Sequence, residues 1–301
     1  MRPRLFLLLT LLAATGNAAE PIPKTVFDGA KLVEVYADDR FFEGPTWDPA
    51  SKKLYFTAFG KDKDNTQILR LDAPGKVSVF ADKTVGVNGT TLGLDGRLLG
   101  AQTFGHRIVA YDLKTGQMEV LLHDPQLNQP NDLCEAPNGD IYFSDPDFGR
   151  ISVSRVYLWR KGMARPRRLD IFSPLPNGIK TSLDGKTLYL SDSQQRLWRS
   201  FPILADGTVG EGRVLFNPET ENKSEPDGLT LDEQGNLYLT GRGGVWCVTP
   251  EGKSLGLIAV KEFCSNVTFG GDDFDVLYIT CAKKVYSLKM AVKGGRIMAN
   301  K

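Results

Sequence analysis

Glu43, Asn88, Asn131, Asn177, Asp227 and Asn266 recur along the chain at a spacing of roughly 45 residues, each just ahead of a short run of alternating apolar residues. Two carboxylates and several amide oxygens, brought together with no cation among them, suit a hard divalent ion such as calcium, magnesium or manganese, which takes oxygen donors and water. Without such an ion the like charges raise one another's pKa. Zinc held by nitrogen and sulfur is not indicated, because His106 and His123 stand without a paired ligand spacing. Of the two histidines, His106 in "TFGHR" follows the second recurrence and is the better placed to border a pocket. Other chemistries lack their signatures: the sequence has no Gly-x-Ser-x-Gly elbow, no phosphate-cradling Gly-Lys-Ser/Thr loop and no His-Glu-x-x-His.

The segments that carry these residues show how they are to be positioned. "EGPTWDPASKKLYFTAF", "VNGTTLGLDGRLLGAQT", "PNDLCEAPNGDIYFSDP", "PNGIKTSLDGKTLYLSDS", "PDGLTLDEQGNLYLTGR" and "SNVTFGGDDFDVLYITC" each read as strand, turn, strand. Between them lie further strand pairs, such as "QILRLDA" with "VSVFAD", "RIVAYDL" with "MEVLLHD" and "RVYLWRK" with "RRLDIF". Four short strands per period predict an all-β, six-bladed β-propeller. After the last repeat only "KVYSLKM" remains, so "KLVEVYAD" (residues 31–38) is the strand expected to close the sixth blade and remove its open edge. In a propeller the first strand of each blade lines the central channel, so the six polar residues form a ring at one mouth. Asp145 and Asp192, at the ends of second strands, are expected near the same mouth.

Composition bounds the partners. With 37 Lys and Arg against 36 Asp and Glu, the net charge of +1 gives no field for nucleic acid or an anionic membrane. The basic stretch "RKGMARPRR" reads as a solvated hairpin loop. Arg2 and Arg4, an apolar run from Leu5 to Ala14, and small residues at Gly16 and Ala18 read as a cleaved secretory signal over residues 1–19. The run is shorter than the roughly 20 residues of a membrane span. Residues 20–301 are then expected to form a single propeller domain, exported to a periplasm or the extracellular space. Cys264 and Cys281 sit symmetrically about a hairpin centre and should face one another, either as a bridge or as buried thiols.

"FFEGPTWDP", "QPNDL", "YFSDPDFG", "LPNGIKTSLDGKTLYLSDS", "EPDGLTLDEQGNLYLT" and "SNVTFGG", in this order between Leu32 and Met290, resemble the regucalcin/gluconolactonase (senescence marker protein) family. The resemblance implies a six-bladed propeller with one divalent ion on its axis, commonly calcium and in some members magnesium, manganese or zinc, and hydrolysis of sugar lactones. It implies that Glu43, Asn177 and Asp227 are metal ligands, that Asn131 contacts the metal, its water or the substrate, and that Asp227 is the general base. Asn88 is similar to a pocket-lining position. Where some members carry a substrate-binding arginine this chain has Gln129, which keeps hydrogen-bonding capacity but not charge. Since propellers host many functions, a non-catalytic calcium- or carbohydrate-binding propeller, or a scaffold without metal, is the alternative.

Overall fold

The computed structural model describes residues 20–60, 65–149 and 152–299; the expected signal segment, residues 1–19, lies outside them. No helix is present among the described residues, and all regular structure is antiparallel sheet. Sheet I comprises β2 (Phe41–Asp48), β3 (Lys53–Phe59), β4 (Thr66–Ala73) and β5 (Lys76–Ala81). Sheet II comprises β6 (Val87–Leu92), β7 (Leu98–Gln102), β8 (Arg107–Tyr111) and β9 (Met118–His123). Sheet III holds β10 (Leu133–Glu135), β11 (Ile141–Asp145), β12 (Arg155–Trp159) and β13 (Arg167–Arg168). Sheet IV holds β14 (Pro176–Thr181), β15 (Thr187–Asp192), β16 (Leu197–Pro202) and β17 (Arg213–Phe216). Sheet V is built from β18 (Leu229–Leu231), β19 (Leu237–Gly241), β20 (Gly244–Val248) and β21 (Ser254–Ala259). Sheet VI takes β22 (Cys264–Gly270), β23 (Val276–Cys281) and β24 (Lys284–Lys289), and its fourth strand is β1 (Val33–Ala37) from the other end of the chain.

The six first strands touch in a closed cycle, β2 to β6, β10, β14, β18, β22 and back to β2. They are the innermost strands of a propeller, as the repeat and the placement of the N-terminal strand predict. Turns between first and second strands use residues able to turn tightly, such as Asn138-Gly139 with Gly139 at φ 82°. The basic stretch pairs outward rather than floating free: Arg160 holds the buried Asp140 through two bonds of 2.6 and 2.7 Å, and Arg167 meets Asp206.

Apolar side chains pack between neighbouring sheets rather than in one central core. Tyr142, Val156 and Leu158 of sheet III meet Ile179, Leu188 and Leu190 of sheet IV. At the seam where the chain ends meet, Val35 and Val285 of sheet VI pack on Phe42, Leu54 and Phe56 of sheet I. Burying each such side chain contributes about 1.5–3 kcal/mol, so every sheet is stabilised by both neighbours and none is self-sufficient.

Candidate functional site

Each polar residue of the repeat sits where its inner strand breaks from the ladder. Register shifts occur between Glu43 and Thr46, Val87 and Thr90, Pro176 and Ile179, and Cys264 and Asn266. In sheets III and V the strands begin only at Leu133 and Leu229, just beyond Asn131 and Asp227. A bulge leaves residues unpaired and re-aims side chains: Asn88 and Asn177 fall within the unpaired steps, while Glu43 and Asn266, still opposite Thr57 and Thr280, flank theirs.

Glycine after the polar residue lets the strands close in. The amide N–H groups of Gly89 and Gly228 donate to carbonyls of the next inner strand, Asn131 at 2.7 Å and Ser265 at 2.8 Å. A Cβ on Gly178 would fall 2.2 Å from the Asp227 carbonyl oxygen, an approach only glycine allows. Sheets III and VI break this pattern, because Asp132 follows Asn131 and Val267 follows Asn266.

The result is a buried acid–amide cluster. Glu43, Asp132, Asp227, Asn131, Asn177 and Asn266 are all buried. Glu43 Oε2 accepts from the Gly44 amide at 3.0 Å and from Asn266 Nδ2 at 3.2 Å, and the same Nδ2 lies 3.4 Å from Asp132 Oδ2. The Glu43 and Asp227 carboxyl groups come close enough to perturb one another's ionisation, so without a cation between them a proton on one relieves the repulsion. Burial, then the charge of Asp132, pushes Glu43 up to about 8. Burial, followed by the charges of Glu43 and Asp132, holds Asp227 well above the usual carboxylate range. Asp132 is pushed up to about 6 by burial, with Lys180 opposing. Asp132 is the residue that sequence reasoning missed; the signal was a carboxylate at the step where four of the other repeats carry glycine.

The amides show what the cluster lacks. Asn177 Nδ2 donates to Ser193 Oγ at 3.2 Å, whereas its Oδ1, like that of Asn88, is buried without a hydrogen-bond partner. Oxygen acceptors with no donor, beside carboxylates that can stay together only by retaining protons, fit a hard divalent cation. Among the described residues no three His, Cys, Asp or Glu side chains by themselves gather as an ion site; an ion here draws on amide oxygens as well.

The remaining predicted residues lie around the same mouth but are tied to its loops. His106 Nδ1 donates to the Leu127 carbonyl at 2.8 Å, which fixes the proton on that nitrogen. Gln129 Oε1 accepts from the Phe148 amide at 2.9 Å, leaving its NH2 group for other partners. Asp145 accepts the amides of Asn128 and Gln129 at 2.9 and 2.8 Å, and Asp192 accepts from Ser173 Oγ at 2.8 Å. Those two aspartates hold the loops that lead the chain to the ring and are not members of it. On the opposite end of the channel a cavity of about 400 Å3 reaches the cluster from behind, lined by Asp132, Asn266, Lys180, Thr46, Thr90 and Thr230, and edged by residues 295–299.

A six-bladed propeller with an acid–amide cluster on its axis is the class of protein these features define. The chain belongs to the SMP-30/Gluconolactonase/LRE-like family, which it matches over residues 41–283. It is 27% identical to a gluconolactonase of Zymomonas mobilis, over 89% of this chain and 84% of that one. Among solved structures it is similar to XC5397 of Xanthomonas campestris, described as a gluconolactonase, with a TM-score of 0.77, 26% identity and coverage of 88% and 91%. The calcium-binding protein regucalcin of Agrobacterium tumefaciens shares the fold at a TM-score of 0.71 and 22% identity, over 88% of this chain and 98% of that one.

Proposed function

We propose that this protein hydrolyses sugar lactones with the help of one divalent cation, calcium before other hard ions, held by Glu43, Asn177 and Asp227 with Asn131 beside them. The observation that carries the reading is the meeting of Glu43 and Asp227, from the first and fifth sheets, beside the ring where Asn177 Oδ1 lies buried without a donor. Family membership and similarity to gluconolactonases supply the substrate class.

A cation bound there supplies Lewis-acid polarisation of the ester carbonyl and offsets the charge that develops on its oxygen. The protein's own residues do the rest. Asp227 accepts a proton from the attacking water. The water oxygen bonds to the carbonyl carbon, the ring C–O bond breaks, and the proton passes from Asp227 to the departing ring oxygen, giving an open-chain hydroxy acid. Asn131 and Asn88 offer amide groups to the substrate's hydroxyls, and Gln129 offers the NH2 that its contact with Phe148 leaves free. His106, held by Leu127, borders the mouth.

Replacing Asp227 by Asn keeps the shape and removes the base, so kcat on gluconolactone should fall by about 100-fold or more, followed by proton release on the ion-loaded protein. Wild-type turnover in folded Asp227→Asn would reject the role. Lactone binding without turnover by the unaltered, ion-loaded protein would support the non-catalytic alternative instead.

A further inference from the structure

Cys264 opens β22, Cys281 closes β23, and the two are direct partners across the ladder. Both are buried thiols in this structure, with their Sγ atoms 3.2 Å apart. Directly opposed residues of an antiparallel pair have Cα atoms about 4.5–5.5 Å apart, inside the roughly 4.4–6.8 Å that a disulfide spans. Both side chains also fill the apolar packing between sheets V and VI; apart from each other, the pair's hydrogen-bonding is a 3.7 Å contact from Cys264 to the Glu262 carbonyl. Cys134 and Cys247 have no such sulfur partner among the described residues.

The position gives a bond here leverage. Cys264 precedes a bulge at Ser265, whose Oγ donates to the carbonyl of Phe42 at 2.6 Å and contacts Thr280. Phe42 leads directly to Glu43, and Asn266, one residue past the bulge, donates to the Glu43 carboxylate. The cysteine pair therefore anchors the strand that joins the last sheet to the first.

We propose that Cys264 and Cys281 form a disulfide when the chain folds in the presence of a small-molecule disulfide oxidant, and that this bond locks the seam between the last and first sheets. In the first step the Cys264 thiolate attacks the oxidant's S–S bond, forming a mixed disulfide and expelling one thiolate. The Cys281 thiolate then attacks the Cys264 sulfur and expels the second. Two electrons pass from the protein to the oxidant, and the two protons leave to solvent. The step belongs to folding rather than to the finished molecule, because the hydrogen bond that Cys281 donates to Cys264, together with burial, keeps the Cys281 thiol protonated once the sheet has packed.

The test uses the full mature chain, refolded in equal concentrations of oxidised and reduced glutathione, then denatured and alkylated before and after reduction. Intact mass and peptide mapping should show Cys134 and Cys247 labelled before reduction, and Cys264 and Cys281 only afterwards. Labelling of all four without reduction overturns the disulfide. For the seam, Tm of the oxidised protein should exceed that of the reduced protein by roughly 5 °C or more, given a closed loop of this length. A Cys264→Ser, Cys281→Ser variant should melt near the reduced protein and show no response to reductant. Equal Tm for oxidised and reduced wild type overturns the lock, and this comparison needs no variant to fold.

Discussion

Asp132 is the residue that turns the ring from an arrangement of two acids into one of three. In sheets I, II, IV and V the polar residue is followed by Gly44, Gly89, Gly178 and Gly228, whereas sheet III supplies a carboxylate at that step. Sequence reading placed Glu43, Asn131, Asn177 and Asp227 because they share a register in the repeat. It passed over Asp132 because Asn-Asp before a strand is also ordinary turn chemistry. Asn266 was equally ambiguous as a residue type, and only its reach across the seam shows it bonded to Glu43 and close to Asp132. The three raised carboxyl groups have a consequence for stability. Glu43 and Asp132 titrate near 8 and 6 in the folded protein, above the roughly 4 of an unfolded chain. The folded state thus retains protons that the unfolded state releases, so stability of ion-free protein declines as pH rises from about 4 to about 8. Thermal melts in chelator should show Tm falling across that window, and added calcium should raise Tm more at pH 8 than at pH 5. Removing one repulsive charge in Asp132→Asn should flatten the chelated profile between pH 4 and 6.

At the scale of elements, the hairpins were legible because Asn-Gly and Asp-Gly turns flank alternating apolar residues, and those turns appear where expected. The bulges were not legible, since a register slip leaves no mark in a single strand's pattern. The outer strand expected over "RRLDIF" shrinks to Arg167–Arg168. Leu169 and Ile171 turn away into the packing between sheets III and IV, and that burial outweighs further ladder pairing at an edge. The glycines beside the ring make a sharper prediction. In Gly178→Ala the new methyl would meet the Asp227 backbone, forcing adjacent inner strands apart. A loss of about 2 kcal/mol or more is expected by urea unfolding, together with at least a tenfold loss of calcium affinity. Gly29→Ala, whose Cβ would meet nothing within 4 Å but whose φ of 74° strains an alanine by about 1–2 kcal/mol, isolates backbone strain from the close approach at the ring, and its calcium affinity should match wild type.

At the scale of the whole molecule, the repeat made six sheets legible, and the missing fourth strand of the last one pointed to the segment at the other end of the chain. What the sequence could not show is how much of the seam rests on a few aromatic contacts, with Phe42 and Phe56 meeting edge-on at 5.2 Å under Val35 and Val285. Phe56→Ala should therefore cost about 3–5 kcal/mol, read from chemical denaturation. Deleting residues 20–38 should be worse, because it bares the edge of β24 as well as the apolar seam; size-exclusion chromatography should then show aggregate in place of monomeric or discretely assembled protein.

The hydrogen bond from Asn266 to Glu43 spans a sequence separation of 223 residues, and it has a bearing on biosynthesis. The pocket around Glu43 waits, incomplete, until Asn266 has been made and the sixth blade has docked. A translation product that stops before Asn266 lacks the amide that meets the Glu43 carboxyl group in the folded structure. That neighbour arrives only with the sixth blade.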